Sequence, residues 1–173
     1  MNRKNYLVLT VIGLASLLPW MLSESGYLLR VLTFMLLFAA MAQAWNIVGG
    51  LANQISLGHA AFFGLGAYTS TVCFLRYGLT PWLGVLSGMV VAGAAGALLS
   101  LPTMRLKGHY FALATLAFAE VLRSIANAWT SVTGGPSGIS VPFVPDASFT
   151  LMQFSSARSY FYLMLTALIA ISW

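Results

Sequence analysis

Charged residues are scarce in this sequence: aspartate, glutamate, lysine and arginine make up 6% of the 173 residues, and only three residues are acidic. An ordinary soluble domain carries roughly 25% charged residues. The basic residues give a formal net charge of +5, but they are scattered between hydrophobic runs. Such scattering is typical of membrane topology signals and not of a nucleic-acid-binding surface. The composition therefore argues against a soluble domain and predicts no nucleic-acid partner.

Residues that build metal and nucleotide sites are also scarce. Cys73 is the single cysteine, so the chain can form neither a disulfide framework nor a cysteine-based metal site. His59 and His109 lack metal-ligand spacing and have no acidic or cysteine residue nearby. The glycine-rich residues 134–138 lack the lysine of a phosphate-binding loop. We therefore expect no metal, no cofactor and no nucleotide site.

Hydrophobic runs are the abundant feature. Hydrophobic residues make up 60% of the chain, and the mean hydropathy is +0.88. At about 1.5 Å per residue, a helix of about 20 residues crosses the roughly 30 Å hydrocarbon core. We predict an all-α membrane helical bundle with about five full transmembrane helices and a sixth that the chain end cuts short. The runs are residues 6–22, 31–49, 57–75, 82–101, 109–127 and 160–173.

The amino terminus predicts the orientation. Arg3 and Lys4 precede the first run, which we interpret as an uncleaved helix with a cytoplasmic amino terminus. The alternative is a signal peptide cleaved ahead of Gly26, although the run is long for one. Counting crossings places Arg105 and Lys107 in the cytoplasm, where the positive-inside rule expects them. We expect these two residues to determine topology and to contact lipid headgroups, with docking of another protein as a lesser alternative.

A polar stretch lies between the second and third runs. Asn46, Asn53, Gln54, Ser56 and His59 stand among small and apolar residues, with no charge nearby. Such groups are costly at membrane depth unless they are paired or line a cavity. We predict a substrate pathway along these residues and a possible broken helix around residues 49–57. A solvated surface turn is the alternative for the amides, and an interhelical hydrogen bond is the alternative for the histidine.

The fourth run repeats small residues at every fourth position. Gly84, Gly88, Ala92 and Gly96 share one helical face. Lipid provides no hydrophobic drive between helices, so small faces allow close helix packing. We predict a helix packing seam along this face.

Two charged residues lie inside the fifth run. Glu120 lies about 17 Å into the helix at 1.5 Å per residue, and Arg123 follows about one helical turn later. Charges at that depth pair with each other or serve transport. The two interpretations are a structural ion pair and a gate in which Glu120 lines the pathway.

The connection after the fifth run, residues 129–158, is rich in glycine, proline, serine and threonine. We predict an ordered turn at Gly134, Gly135 and Pro136, outside the cell, and a looser chain after Pro142.

Three groups of residues carry a resemblance to a known family, and in the family's order they cover the chain from about residue 30 to 145. The groups are Asn46, Gly50, Asn53-Gln54, Ser56 to Phe62, Gly64 and Gly66 to Tyr68; then Arg105 to Ala112 with Ala114-Thr115-Leu116; then Thr133 to Ile139. In these groups the sequence resembles the permease subunits of ABC importers for branched-chain amino acids.

The resemblance implies a single transmembrane permease domain, residues 1–173, in a bacterial inner membrane. The implied partners are a second homologous permease, two cytoplasmic ATPase subunits, an extracytoplasmic solute-binding protein and membrane lipid. The cargo would be branched-chain amino acids, with urea, amides and aromatic acids as alternatives. In the family a segment that docks on the ATPase lies beyond Trp173, so we expect this chain to be the amino-terminal part of a longer permease.

A different class of function is also consistent with the residues. An ion-coupled secondary transporter could use Glu120 as its coupling carboxylate. Dependence of uptake on ATP or on the proton gradient distinguishes the two. An intramembrane enzyme ranks last, since neither His59 nor Glu120 has a partnered nucleophile.

Overall fold

The computed structural model describes residues 13, 15–22, 26–51, 53–106, 108–143 and 149–172, and the regular elements in these ranges are all helical. The all-α fold class is therefore confirmed. Most of the predicted first run and Lys107 lie outside the described residues. The elements are α1, described over residues 15–21, α2 (Tyr27–Asn46), α3 (His59–Tyr77), α4 (Pro81–Thr103), α5 (His109–Ala128), α6 (Thr130–Thr133) and α7 (Ala157–Ser172), with a π turn at Ile47–Leu51 and 3-10 turns at Gly135–Ser137 and Phe149–Leu151.

Three segments of the described chain are long and apolar enough to cross a membrane. They are α2 with its π turn, α4 and α5, with 25, 23 and 20 residues. At about 1.5 Å per residue each reaches roughly 30 Å or more. Helix α3 has 19 residues, but its hydroxyl residues and the terminal His59 and Arg76 make it less apolar. The sequence predicted about five full spans. The described residues contain three helices that meet the length and hydropathy of a span, and α3 is a less apolar fourth.

The described residues group into two compact units. The first comprises the described residues up to 44 together with those from 154 onwards. Its core is Leu29 of α2 packed against Phe161 and Leu165 of α7. The hydroxyl of Tyr162 accepts a hydrogen bond from the Trp20 indole at 3.1 Å, which ties α7 to α1. The Tyr162 hydroxyl also donates to the Ser16 carbonyl at 2.9 Å, so the described part of the first unit is held by an apolar core and by polar contacts between α1 and α7.

The second unit comprises residues 45–153 and is built on close contact between α3 and α4. A Cβ atom placed on Gly88 would lie 2.7 Å from the carbonyl oxygen of Gly66. A Cβ atom on Gly84 would lie 2.5 Å from the hydroxyl of Ser70. Glycine at these positions therefore lets the two backbones touch.

The small face of α4 is less tightly packed towards the carboxyl end of the helix. Ala92 and Gly96 are half-buried, whereas Gly84 and Gly88 are buried. A Cβ atom on Gly96 would lie 3.9 Å from the ring of Phe62, an ordinary van der Waals contact. The space left beside Gly96 belongs to the pocket described below.

Helix α4 continues two residues beyond the predicted run, which ends at residue 101. Pro102 lies inside its last turn, and the helix ends at Thr103. Proline removes only its own N–H donor, and the next turn closes because the Met104 N–H donates to the Ser100 carbonyl at 2.8 Å. Proline therefore marks the end of α4 without being its last residue.

The connection after α5 contains more structure than the sequence predicted. Residues 130–133 form the short helix α6, and the ordered glycine turn follows it. Gly134 and Gly135 both have positive φ, at 72° and 61°, which other residues rarely adopt. The side chain of Thr133 stabilises the turn by accepting a hydrogen bond from the Gly135 N–H at 3.2 Å. Residues 144–148, part of the predicted looser chain, lie outside the described residues.

Candidate functional site

The candidate site begins where α2 passes into its π turn. The ring of Trp45 covers Gly49, where a Cβ atom would lie 3.2 Å from the ring. The side-chain oxygen of Asn46 covers Gly50, where a Cβ atom would lie at 2.6 Å. The two glycines therefore allow these two side chains to lie along the turn. Single π turns occur frequently at functional sites.

An irregular segment, residues 53–58, separates the π turn from α3. Asn53 has a φ of 52°, and asparagine is one of the few residue types that tolerate positive φ. The N–H of Gln54 donates back to the Val48 carbonyl at 3.3 Å, which folds the segment against the turn. The helical conformation is thus interrupted over residues 53–58, which overlap the region around residues 49–57 where the sequence predicted a possible break.

Two hydrogen bonds from different helices hold this segment. The indole N–H of Trp45 donates to the Ser56 carbonyl at 2.7 Å. The N–H of Leu57 donates to the Thr115 hydroxyl on α5 at 3.0 Å. The acceptor residues Thr115 and Ser56 are buried, at 1% and 4% exposed, whereas the donors Trp45 and Leu57 are exposed, so both bonds are part-buried. The segment is therefore an ordered part of the protein.

His59, the first residue of α3, is oriented by Ser56. Its Nδ1 atom lies 3.3 Å from the Ser56 hydroxyl oxygen. Its Nε2 atom has no hydrogen-bond partner among the described residues, and neither has the side-chain amide of Gln54. An imidazole nitrogen can donate or accept according to its tautomer, and an amide can do both. These two side chains therefore offer unused hydrogen-bonding groups.

A pocket of about 440 Å³ lies at this place, between the irregular segment, α4 and α5. This volume is within the range of roughly 300–1,000 Å³ that is usual for small-molecule sites. None of the described residues that line it is an aspartate, glutamate, lysine or arginine. The lining combines hydroxyl, amide and imidazole groups with apolar walls and consists of Val48, Gln54, Ser56, His59, Phe62, Gly96, Leu99, Ser100, Thr103, Met104, Phe111 and Thr115.

A second cavity of about 590 Å³ lies between α3, α5 and α6, and its lining is mostly apolar. Glu120 and Arg123 line it, together with Tyr68 and Cys73 of α3. The guanidinium of Arg123 donates to both Glu120 carboxylate oxygens, at 2.9 and 2.5 Å. The two side chains are 56% and 67% exposed. The structure thus contains the intrahelical ion pair, on the surface of a groove.

The structure brings some of the predicted pathway residues together and separates others. Gln54, Ser56 and His59 line the smaller pocket, and Glu120 lines the larger cavity. Asn46 and Asn53 are exposed and line neither, so their place in a pathway stays a prediction.

Sequence reasoning assigned no role to two residues that hold the site, Trp45 and Thr115. Both bond to the irregular segment from a distance along the chain. The available signal for Thr115 was a hydroxyl within an apolar helix, inside one of the motifs that carry the family resemblance. Phe111 of the pocket wall lies in the same group of motifs, whereas Thr103 lies outside all three groups.

Comparisons with known proteins place this chain in one family. The family model for the permease component of branched-chain amino acid transport systems matches residues 27–173. The chain is 34% identical over 154 residues to the high-affinity branched-chain amino acid transport system permease protein LivM of Escherichia coli (strain K12). It is 31% identical over 153 residues to the protein of the same name from Salmonella typhimurium (strain LT2). No solved structure matches the chain.

The alignments cover 89% and 88% of this chain and 35% of each relative. The chain therefore spans about a third of the length of the curated relatives it matches. The family match covers α2 to α7 and with them both cavities. With its apolar spans, the chain is a multi-pass membrane protein, and it belongs to the family of permease components of branched-chain amino acid transport systems.

Proposed function

We propose that this chain forms part of the permease subunit of an ATP-driven ABC importer that moves branched-chain amino acids, or related small polar solutes, into the cytoplasm. Family membership supports the class, and the names of the two LivM relatives support the cargo. The proposal rests on one observation: Gln54, Ser56 and His59 line the same pocket, which has no acidic, lysine or arginine residue in its lining and lies beside a break in a membrane helix.

The chemistry of the pocket fits such a cargo. A branched-chain amino acid is a zwitterion with no net charge, so a path for it needs dipoles rather than fixed charges. The Gln54 amide and the Nε2 atom of His59 can bind its polar groups because neither is engaged by another described residue. Leu99 and Phe111 provide an apolar wall for an aliphatic side chain. The pocket therefore offers hydrogen-bonding groups for the polar part of the solute and an apolar wall for its aliphatic side chain.

The proposed assembly follows the family. The subunit acts with a second homologous permease, two cytoplasmic ATPase subunits and an extracytoplasmic solute-binding protein, in the bacterial inner membrane, with its amino terminus in the cytoplasm. It contacts membrane lipid and leaves nucleotide binding to the ATPases. Closure of the ATPases would tilt helices about close contacts such as the one between α3 and α4, and would open the pocket to each side in turn.

The dependence of uptake on ATP or on the proton gradient tests this function. Initial uptake of radiolabelled leucine is measured in cells that carry the complete transport system, with either an inactive ATPase or an uncoupler of the proton gradient. We expect uptake to stop when the ATPase is inactive and to persist with the uncoupler. The opposite result favours an ion-coupled carrier. In the structure both oxygens of Glu120 are occupied by Arg123, which does not favour Glu120 as a free coupling carboxylate.

A single substitution tests the pocket. Gln54→Leu removes the unengaged amide while keeping a side chain of similar size. We expect uptake to fall roughly tenfold, the effect of losing one or two hydrogen bonds to the solute, with unchanged protein amount in the membrane. Ser124→Leu is the control because Ser124 is exposed on α5 and lines neither cavity. Normal uptake by Gln54→Leu would remove this residue from the pathway.

A further inference from the structure

We propose that Thr115 is a positioning residue of the solute pathway: its hydroxyl holds the irregular segment, residues 53–58, so that Gln54 and His59 line the pocket at a constant spacing. This inference rests on the proposed function of that pocket. Thr115 lies 58 residues away from its partner Leu57 along the chain, and no helical periodicity relates the two.

The hydrogen bonds of Thr115 fix the direction of its hydroxyl. The oxygen accepts the Leu57 N–H at 3.0 Å, and the hydroxyl donates to the Ala112 carbonyl at 2.8 Å. Leu57 precedes the first turn of α3, where backbone N–H groups lack partners within the helix. Because the donor and acceptor roles are both used, the hydroxyl has one orientation. Serine can make both bonds, whereas valine has the same shape and can make neither.

The backbone of Thr115 also meets the segment. A Cβ atom on Gly58 would lie 2.7 Å from the Thr115 carbonyl oxygen, which is a rigid backbone atom. Gly58 therefore lets the segment touch α5 directly. Thr115 thus contacts Leu57 through its side chain and Gly58 through its carbonyl. These two contacts fix the position of the segment along the axis of α5.

The segment has a second attachment, the bond from the Trp45 indole to the Ser56 carbonyl. Loss of the Thr115 bond would leave this attachment intact and free the end of the segment that leads into α3. His59 follows that end directly, and its ring contacts Ser56. We therefore expect loss of the hydroxyl to displace the solute-binding groups without unfolding the site.

The experiment compares Thr115→Val and Thr115→Ser in cells that carry the complete transport system. Initial uptake of radiolabelled leucine is measured over a range of concentrations, and the amount of protein in the membrane is determined in parallel. We expect Thr115→Val to raise KM roughly three- to tenfold with little change in protein amount, and Thr115→Ser to stay near wild type. Thr71→Val is the matched control, because among the described residues the Thr71 hydroxyl bonds only to the Ala67 carbonyl of its own helix.

A second readout does not depend on transport. Gln54→Cys is introduced into a variant that lacks Cys73, and its modification by a water-soluble maleimide is timed with threonine or valine at position 115. We expect the rate to change several-fold with valine. Unchanged KM together with an unchanged labelling rate overturns the role of Thr115 and leaves the proposed function standing. Absence of ATP-dependent uptake in the wild type overturns the proposed function itself, and the pathway role with it.

Discussion

The contact between α3 and α4 predicts that one added methyl group at Gly88 destabilises the protein. A Cβ atom there would lie 2.7 Å from the Gly66 carbonyl oxygen and 3.3 Å from its carbonyl carbon and Cα atoms. All three are backbone atoms and cannot rotate away. To restore an ordinary contact of 3.4 Å, the two helices must separate locally by roughly 0.7 Å. A gap of that size removes about a quarter to a half of the dispersion energy of each affected atom pair.

Overpacking of this kind costs about 1–3 kcal/mol of the free energy of unfolding. For a protein of this size, that corresponds to a melting temperature lower by roughly 3–10 °C. The melting temperature of Gly88→Ala is measured in detergent, as the temperature at which monodisperse protein is lost on heating.

Gly93→Ala is the control for this measurement, since it makes the same change on the same helix. A Cβ atom at Gly93 would meet no atom within 4 Å. We expect its melting temperature to stay at or slightly above that of the wild type, because alanine favours helix. Equal melting temperatures for Gly88→Ala and the wild type, or equal losses for both variants, would refute the proposed close contact.

Two further predictions concern the cavities. Glu120→Gln and Arg123→Gln should each lower the melting temperature only slightly, because the pair is exposed and its net contribution to stability is small. The double variant should recover most of that loss, and additive losses in the same assay would mean that the pair contributes nothing. Gly96→Leu should fill the smaller pocket and reduce leucine uptake roughly tenfold at unchanged protein amount. Gly93→Leu is its control because that position borders open space, and equal uptake by the two leucine variants would contradict the assignment of the pocket.

Local features of this protein were predictable because they depend on neighbours along the chain. The helices follow from uninterrupted apolar runs, and the ion pair of Glu120 and Arg123 follows from a spacing of three residues on one helix. The glycine turn at Gly134 and Gly135 follows from residue types that accept positive φ.

The family resemblance could be noticed in the sequence for a related reason. Its motifs are short and lie in the order in which the family carries them. The comparisons confirmed it over residues 27–173.

Distances between helices were not predictable. The small face of α4 repeats glycine at 84, 88 and 96 without distinction, yet a Cβ atom would meet a neighbour at 2.5 and 2.7 Å at the first two positions and at 3.9 Å at Gly96. The sequence pattern indicates that a neighbour can approach. Only the positions of both helices decide where it does, and here they turn one end of the face into a close contact and the other into a pocket wall.

By itself, the sequence determined that this protein is a bundle of membrane helices with a polar interruption after the second helix, because hydrophobicity and its absence are properties of each residue. Tertiary structure decided which polar residues meet. It joined Gln54, Ser56 and His59 to Thr115 in one pocket and placed Glu120 at another. The physical reason is that a hydrogen bond such as that between Leu57 and Thr115 joins residues 58 positions apart. Nothing in the residue types of the two partners indicates that they pair.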